Sequence, residues 1–169
     1  TMLMAAVAFT AGCGGEKKSD KKVLKVGMEC AYAPYNWSQT KADGGAVKIA
    51  GSNEYAYGYD VMMAKKLADS MGADLEIHKI EWDGLAPAVV SGKIDAAIAG
   101  MSITSKRKET VDFTKPYYYA TVVALVKKDS EQAKAQSVAD LKGSVATSQL
   151  NTIWYDQIDQ VPDVKKLPA

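Results

Sequence analysis

The chain has 169 residues, of which 47% are hydrophobic and 24% are charged, and this composition excludes a disordered or fibrous protein. Lysine and arginine number 21 and acidic residues 20, so a net charge of +1 gives no general field for nucleic acid or an acidic membrane surface. We therefore expect no nucleic-acid partner, and we note that Arg107 is the only arginine in the chain.

Residues 1–22 differ in character from the rest. Met2 to Ala11 is an apolar run, too short for a bilayer span of about 20 residues but typical of a signal-peptide core. The segment from Thr10 to Cys13 resembles a bacterial lipobox and predicts lipidation of Cys13, although Thr10 replaces the usual Leu, Val or Ile. The alternative is an ordinary secretory signal with an incidental cysteine. Both predict export, and a basic tether follows.

The next segments predict a strand, a surface excursion and a helix. Val23 to Met28 alternates apolar and basic residues, as strands do, and residues 36–57 are rich in turn-forming residues that indicate an excursion or a hairpin. Apolar residues at helical spacing then predict a helix that Asp60 caps and Gly72 ends. Cys30 is interpreted as a small packed residue rather than a reactive thiol.

A second strand, a short helix and a third strand follow. Residues 75–80 alternate imperfectly, and Asp83 is expected to cap a helix that runs to about Ser91, where Pro87 is tolerable only near the first turn. Residues 94–99 form an almost wholly apolar run, which predicts a parallel strand buried on both faces.

Residues that follow parallel strands are candidate ligand contacts, because ligands bind at the carboxyl ends of such strands. Arg107 can bind a carboxylate through two parallel hydrogen bonds, which lysine cannot do, and the hydroxyl and N–H of Ser102 could serve the same anion. Gly100 and Met101 could present carbonyl groups to an ammonium. The alternative for Arg107 is a solvated position on a short helix that Thr104 or Ser105 caps.

Aromatic side chains also follow predicted strands. Tyr32 and Tyr35 follow the first strand and Trp82 follows the second, so their rings could form two walls of one cleft; packing within the core is the alternative. The single histidine, His78, lies in a predicted strand, and nucleophile and nucleotide motifs are missing from the sequence. We expect no metal, no cofactor and no catalytic residue.

The remaining residues predict the start of a second α/β unit. Extended segments are expected at 111–113 and 117–126, a short helix before Gly143 and a strand at 144–147. Asn151 or Thr152 is expected to open a further helix, with a last strand at 164–167.

An ordered series of motifs resembles the family 3 amino-acid-binding proteins of bacterial ABC transporters. The motifs are Tyr32-Ala33-Pro34-Tyr35, Gly58-Tyr59-Asp60-Val61, Trp82-Asp83-Gly84-Leu85-Ala86-Pro87-Ala88, Gly92-Lys93-Ile94-Asp95-Ala96, Gly100-Met101-Ser102-Ile103-Thr104, Arg107, Val111-Asp112-Phe113 and Pro116-Tyr117-Tyr118. The resemblance implies a periplasmic-binding-protein type 2-like α/β fold with two lobes joined by extended hinge strands. Lobe 1 is expected at 23–119 and an incomplete lobe 2 at 120–169.

The resemblance also implies a function for these residues. Arg107 and Ser102 match the positions that hold the α-carboxylate of the ligand, and the main chain of Gly100 matches the position that receives its α-ammonium. Tyr32 and Trp82 match the aromatic pair that encloses the ligand side chain. The protein is then a receptor and not an enzyme. It delivers a free amino acid to a permease, outside the cytoplasm and anchored through a lipid on Cys13.

Two further positions are carried over from the family. Glu29 matches a position that reaches the distal cation of basic amino acids, which favours arginine or lysine, although an exposed loop glutamate is the alternative. Asn151 and Thr152 match an element at a helix N-terminus that completes the carboxylate cage.

Several family features lie beyond Ala169, so we expect the sequence to be a piece of a longer chain that also began before Thr1. Two other classes share the fold. One is the ligand-sensing domain of a membrane receptor, and the other comprises enzymes such as cyclohexadienyl dehydratases and lytic transglycosylases.

Overall fold

The computed structural model describes residues 21–169, so the predicted lipidation site Cys13 and most of the leader segment lie outside the described residues. The strands are β1 (Val23–Met28), β2 (Ala31–Tyr32), β3 (Asn36–Gln39), β4 (Val47–Lys48), β5 (Tyr55–Tyr57), β6 (Asp74–Lys79), β7 (Ala96–Ala97), β8 (Val145–Ala146) and β9 (Lys165–Lys166). The helices are α1 (Tyr59–Met71), α2 (Trp82–Val90), α3 (Ser105–Lys108) and α4 (Ile153–Gln157). Single 3-10 turns lie at Asp43–Gly45, Glu131–Lys134, Val138–Leu141 and Ile158–Gln160.

A parallel sheet of three strands, in the order β6-β1-β7, carries the core. β1 pairs with β6 from Val23↔Asp74 to Met28↔Lys79, and with β7 through Val26↔Ala96 and Gly27↔Ala97. The predicted first and second strands are confirmed. The predicted third strand is wrong in extent and burial, because only two of its residues pair and Ala96 and Ala97 are half-buried. β7 lies at an edge of the sheet, with no strand of the described residues on its outer side.

The segment predicted as an excursion or hairpin forms a second, antiparallel sheet in the order β2-β3-β5-β4. Trp37 of β3 lies opposite Tyr57 of β5, with their ring centroids 5.1 Å apart at an edge-to-face angle of 89°. The two sheets are joined where the N–H of Ala50 donates to the Ile77 carbonyl at 2.8 Å. The small sheet therefore packs along β6, at the outer edge of the parallel sheet.

The beginning of α1 corrects the predicted cap. The helix begins at Tyr59, after Gly58, and its first free N–H groups donate to main-chain carbonyls: Tyr59 N to Pro34 O at 3.2 Å and Asp60 N to Tyr35 O at 2.8 Å. Asp60 is fully buried and its side chain binds elsewhere, so it does not cap the helix. The predicted end is confirmed, since Gly72 adopts a left-handed conformation with φ 62°.

The beginning of α2 also differs from the prediction. The N-cap residue is Glu81, and Asp83 lies within the first turn, where a carboxylate is favourable beside the helix N-terminus. Pro87 lies in the interior of the helix rather than near its first turn, so the carbonyl of Asp83 loses the N–H that residue 87 would otherwise donate. The predicted cap at Thr104 is confirmed, because its hydroxyl accepts from the Arg107 N–H at 3.2 Å.

The last part of the chain forms a small unit around the parallel pair β8 and β9. Ser137 and Asp140 form a reciprocal capping box at the first turn of this unit. The segments at 111–113 and 117–126 are not paired with any strand in the described part of the chain. The division into lobes at residues 119 and 120 stays a prediction. No helix within residues 21–169 has the length and apolar character to cross a membrane.

Gly58→Ala is expected to destabilise the full-length protein by about 2 kcal/mol or more, because φ is 126° and an added Cβ overlaps the Tyr35 carbonyl oxygen. Gly72→Ala is the matched control, with a left-handed φ of 62° but nothing within 4 Å of an added Cβ, and it is expected to cost about 1 kcal/mol. Urea unfolding measures both. Equal losses for the two variants would contradict the close approach at Gly58.

Candidate functional site

The loops that leave β1, β6 and β7 meet at one edge of the parallel sheet, since parallel strands end at the same edge. Glu29 follows β1 directly, Trp82 follows β6, and the Gly100–Ser102 loop follows β7. The sequence prediction that these residues lie on neighbouring loops is therefore confirmed in position. Their roles toward a ligand stay a prediction.

Arg107 is held at this edge by three contacts. Its Nη1 donates to the Ser102 carbonyl at 2.7 Å, and its Nη2 donates to the Asn151 carbonyl at 3.1 Å. The guanidinium carbon lies 5.3 Å from the centroid of the Trp82 ring, within the range of a cation–π interaction. Burial lowers the pKa of the Arg107 guanidinium, an effect that the charge of Asp156 opposes. Arg107 is thus an oriented group and not a freely solvated one.

Asn151 joins the small unit to the strand-end loops. Its carbonyl accepts from Trp82 Nε1 at 3.1 Å as well as from Arg107, and its side-chain Nδ2 donates to Asp83 Oδ1 at 2.9 Å. The backbone at Asn151 is left-handed, with φ 59°. This conformation directs the carbonyl toward the donors of Trp82 and Arg107. Asn151 therefore contributes an acceptor, where the carry-over from the family predicts part of an anion cage.

Thr152 is 2% exposed and its hydroxyl is already engaged. Its Oγ1 donates to the Gln149 carbonyl at 2.6 Å and accepts from the Tyr155 N–H at 3.2 Å, which makes it the N-cap of α4. The sequence prediction that Asn151 or Thr152 opens this helix is confirmed for Thr152.

Glu29 also reaches the small unit, because Gln149 Nε2 donates to Glu29 Oε1 at 3.1 Å. The neighbouring Cys30 is 2% exposed, and burial raises the pKa of its thiol to about 11, so the prediction of an inert packed cysteine is confirmed. Among the residues that the structure describes, no group of three or more His, Cys, Asp or Glu side chains could hold a metal ion.

A cavity of about 290 Å³ opens beside these loops. Of the predicted site residues, four line it: Tyr32, Gly100, Met101 and Ser102. Glu29, Trp82, Arg107, Asn151 and Thr152 lie outside its lining, so the predicted site falls into a cavity part and a polar part around the Asn151 carbonyl.

Sequence reasoning missed much of the aromatic lining. Tyr35 was predicted as a wall, but the following lining residues were not: Phe113, Tyr117, Tyr118, Tyr119 and Trp154. The Tyr32 and Trp154 rings lie 6.4 Å apart across the cavity, between residues 122 positions apart in the chain. The three consecutive tyrosines at 117–119 could have indicated this lining. A strand with one buried face alternates polar and apolar residues, and this run does not.

Comparison with known proteins gives a consistent result. Residues 24–164 match the family model described as bacterial extracellular solute-binding proteins, family 3. The arginine-binding extracellular protein ArtP of Bacillus subtilis is 32% identical over 160 residues, which cover 92% of this chain and 56% of that protein. The chain thus spans little more than half the length of this relative.

Two solved structures show the same fold. An ancestral arginine-binding protein bound to arginine superposes with a TM-score of 0.67 at 33% identity, covering 87% of this chain and 61% of that one. The ancestral amino acid-binding protein AncCDT-1, a precursor of cyclohexadienyl dehydratase, superposes with a TM-score of 0.70 at 34% identity, covering 86% and 60%.

Asn151→Val is expected to destabilise the full-length protein by about 2 kcal/mol, because a β-branched residue is strained at a φ of 59°. Asn151→Gly keeps the left-handed backbone and loses only an exposed hydrogen bond, so its stability should stay within about 1 kcal/mol of the wild type. Thermal unfolding of both variants makes the comparison. Indistinguishable stabilities would show that the backbone at this position is not left-handed.

Proposed function

The chain belongs to the bacterial extracellular solute-binding proteins of family 3, and from this premise we propose that it is the amino-acid receptor of an ABC importer. It captures a free amino acid between its α/β units and presents the occupied, closed form to a permease. Because the chain spans only 56% of the length of its relative ArtP, the proposal concerns the whole protein to which these residues belong.

One observation carries the proposal: the only arginine of the chain is oriented at the strand-end edge, stacked near Trp82 and directed toward Ser102 and Asn151. A guanidinium binds a carboxylate better than any other side chain does, and a partly buried one does so in a medium that strengthens the pair. We assign the α-carboxylate to Arg107 and Ser102, and the α-ammonium to the main chain of Gly100 and Met101.

We propose a basic amino acid as the ligand, with arginine first. Glu29 supplies a carboxylate at the same edge, and Tyr32 and Trp82 supply aromatic faces that attract a cation. Two of the similar proteins described above are named for arginine binding, which supports this choice. The Gln149 side-chain amide donates a hydrogen bond to the Glu29 carboxylate, so a cationic ligand would replace a neutral donor to Glu29 with a charged one.

Closure of the two units is the proposed signal to the permease. The extended segment at 117–127 joins them without a paired strand in the part of the chain described, as expected of a hinge. Asn151 contacts Arg107 and Gln149 contacts Glu29, so the small unit meets the strand-end loops of the parallel sheet. A ligand that contacts both sides therefore shifts the population toward the closed form. We further propose an extracytoplasmic location with a lipid anchor on Cys13.

Isothermal titration of the full-length protein without its anchor against the twenty amino acids is expected to give micromolar or tighter binding of arginine or lysine. Arg107→Ala should weaken this binding by about 2 to 5 kcal/mol, because it removes one member of a charge-assisted pair. Arg107→Lys should recover only part of the loss, since lysine cannot form the two parallel hydrogen bonds. Lys106→Ala, at the exposed neighbouring position, is the control and should bind as the wild type does. Unchanged affinity in Arg107→Ala would remove the carboxylate assignment.

Glu29→Gln tests the choice of ligand. The substitution keeps the size of the side chain and removes its charge, so affinity for arginine should fall at least about 10-fold while affinity for any neutral amino acid that binds stays unchanged. A variant that binds arginine as tightly as the wild type would mean that Glu29 does not contact the cation.

A second candidate function is an enzyme of the cyclohexadienyl dehydratase type, because AncCDT-1 is described as the precursor of such an enzyme. Turnover of prephenate by the full-length protein tests this candidate. We favour the receptor, since neither Glu29, outside the cavity lining, nor Asp60, within it, is a free acid: Gln149 binds the first, and Asn36 and Tyr117 bind the second.

A further inference from the structure

A chain of hydrogen bonds runs from the buried Cys30 main chain into the wall of the cavity and ends at the loop that follows β7. Asp60 and Asn36 are both 0% exposed. The Cys30 N–H donates to Asn36 Oδ1 at 2.8 Å, and Asn36 Nδ2 donates to Asp60 Oδ2 at 2.7 Å. The second oxygen of the Asp60 carboxylate accepts from the Tyr117 hydroxyl at 2.8 Å.

The same Tyr117 hydroxyl accepts the N–H of Gly100 at 3.1 Å. Because the Tyr117 hydroxyl donates its hydrogen bond to Asp60, the lone pairs of the Tyr117 oxygen are free to accept from Gly100. Gly100 has a left-handed φ of 64°, and an added Cβ there would lie 3.4 Å from the Tyr32 ring. The hydrogen bond that the Gly100 N–H donates to Tyr117 thus holds the main chain of Gly100 at the point where the loop turns into the cavity.

Tyr117 is fixed from a second side. Tyr59 Oη donates to the Tyr117 carbonyl at 3.2 Å, and the two rings are stacked with centroids 6.2 Å apart. Tyr117 is therefore held between α1 and the Gly100 loop, at the beginning of the segment that leaves the first unit. Its hydroxyl connects that segment with the loop.

Stability alone does not account for this arrangement. Burial of a carboxylate is unfavourable, and apolar side chains of similar volume would stabilise the core at least as well. Main-chain carbonyls already accept from the first N–H groups of α1, so the helix needs no carboxylate cap. A buried and fully hydrogen-bonded carboxylate does fix the direction of its partners.

We propose that Asp60, acting through Tyr117, is a positioning residue that sets the main chain of Gly100 and thereby the amino-acid affinity of the site. The proposal rests on the proposed function for its affinity effect. The position of the Gly100 N–H, by contrast, can be measured without a ligand.

Tyr117→Phe in the full-length protein removes the hydroxyl and keeps the ring. Exchange of the Gly100 amide hydrogen, measured by NMR without ligand, should become at least about 10-fold faster, and affinity for L-arginine should fall about 10-fold. Tyr55→Phe is the matched control, the same change at a half-buried tyrosine of β5 outside the cavity lining, and should alter neither quantity. A folded Tyr117→Phe protein with wild-type amide exchange at Gly100 overturns the proposal.

A residue swap gives a second test, in which Tyr117 itself is left unchanged. Both carboxylate oxygens of Asp60 accept hydrogen bonds, and in Asp60→Asn one of them is replaced by an N–H donor that faces either Asn36 or the Tyr117 hydroxyl. One of these two hydrogen bonds is lost, so affinity should fall about 10-fold. Adding Asn36→Asp supplies an acceptor for that N–H and keeps the acceptor for the Cys30 N–H. The double variant should return the Gly100 exchange rate and the affinity to within about threefold of the wild type. Failure of the swap to recover the single variant's loss in the folded protein overturns the proposal.

The two proposals fail in different ways. If the wild type binds none of the twenty amino acids but Tyr117→Phe still accelerates Gly100 exchange, the ligand assignment fails and the positioning role stands. If the wild type binds L-arginine and Tyr117→Phe changes neither affinity nor exchange, the positioning role fails and the receptor stands.

Discussion

The hydrogen bonds on both edges of β1 determine where the candidate ligand contacts of the strand-end loops lie. β1 is the central strand, and it pairs in parallel with β6 along its whole length and with β7 at Val26 and Gly27. Parallel pairing brings the ends of all three strands to one edge, so residues that are distant in sequence become neighbours there. Glu29, Trp82 and the Gly100–Ser102 loop owe their proximity to this register. A shift of one residue would reverse the direction of each side chain.

Much of this fold can be predicted from short-range patterns. The alternation in Val23–Met28, the helical spacing in α1 and the position of Gly72 each follow from local rules, and each was confirmed. Asp60 was mispredicted because an aspartate near a helix start usually caps it, whereas here its partner is Tyr117, 57 residues away. Local rules contain no information about such a partner. The same is true of Asp83, which binds Asn151 across 68 residues.

The side chains of the candidate site could be predicted from the sequence, but most of the hydrogen bonds that join them could not. Arg107 and Trp82 could be selected because one is the only arginine and the other follows a strand, and the structure brings them within 5.3 Å of each other. Their shared acceptor, the Asn151 carbonyl, belongs to the main chain and leaves no trace in side-chain patterns. The apolar run at 94–99 led to a wrong prediction of a strand buried on both faces, because its alanines are typical of a core. Ala96 and Ala97 are in fact half-buried at a sheet edge.

The carbonyl of Asn151 means that Arg107 and Trp82 already have a partner within the protein. In the proposed site, a molecule arriving at Arg107 exchanges with that carbonyl rather than filling a vacant position, and the gain is the difference between two acceptors. A carboxylate, which forms hydrogen bonds roughly twice as strong as a neutral group does, gains from the exchange. An amide or ester brings an acceptor of the same kind as the one it displaces and gains almost nothing. In the proposed site, the protein's own main chain would thereby compete with the ligand and disfavour uncharged analogues.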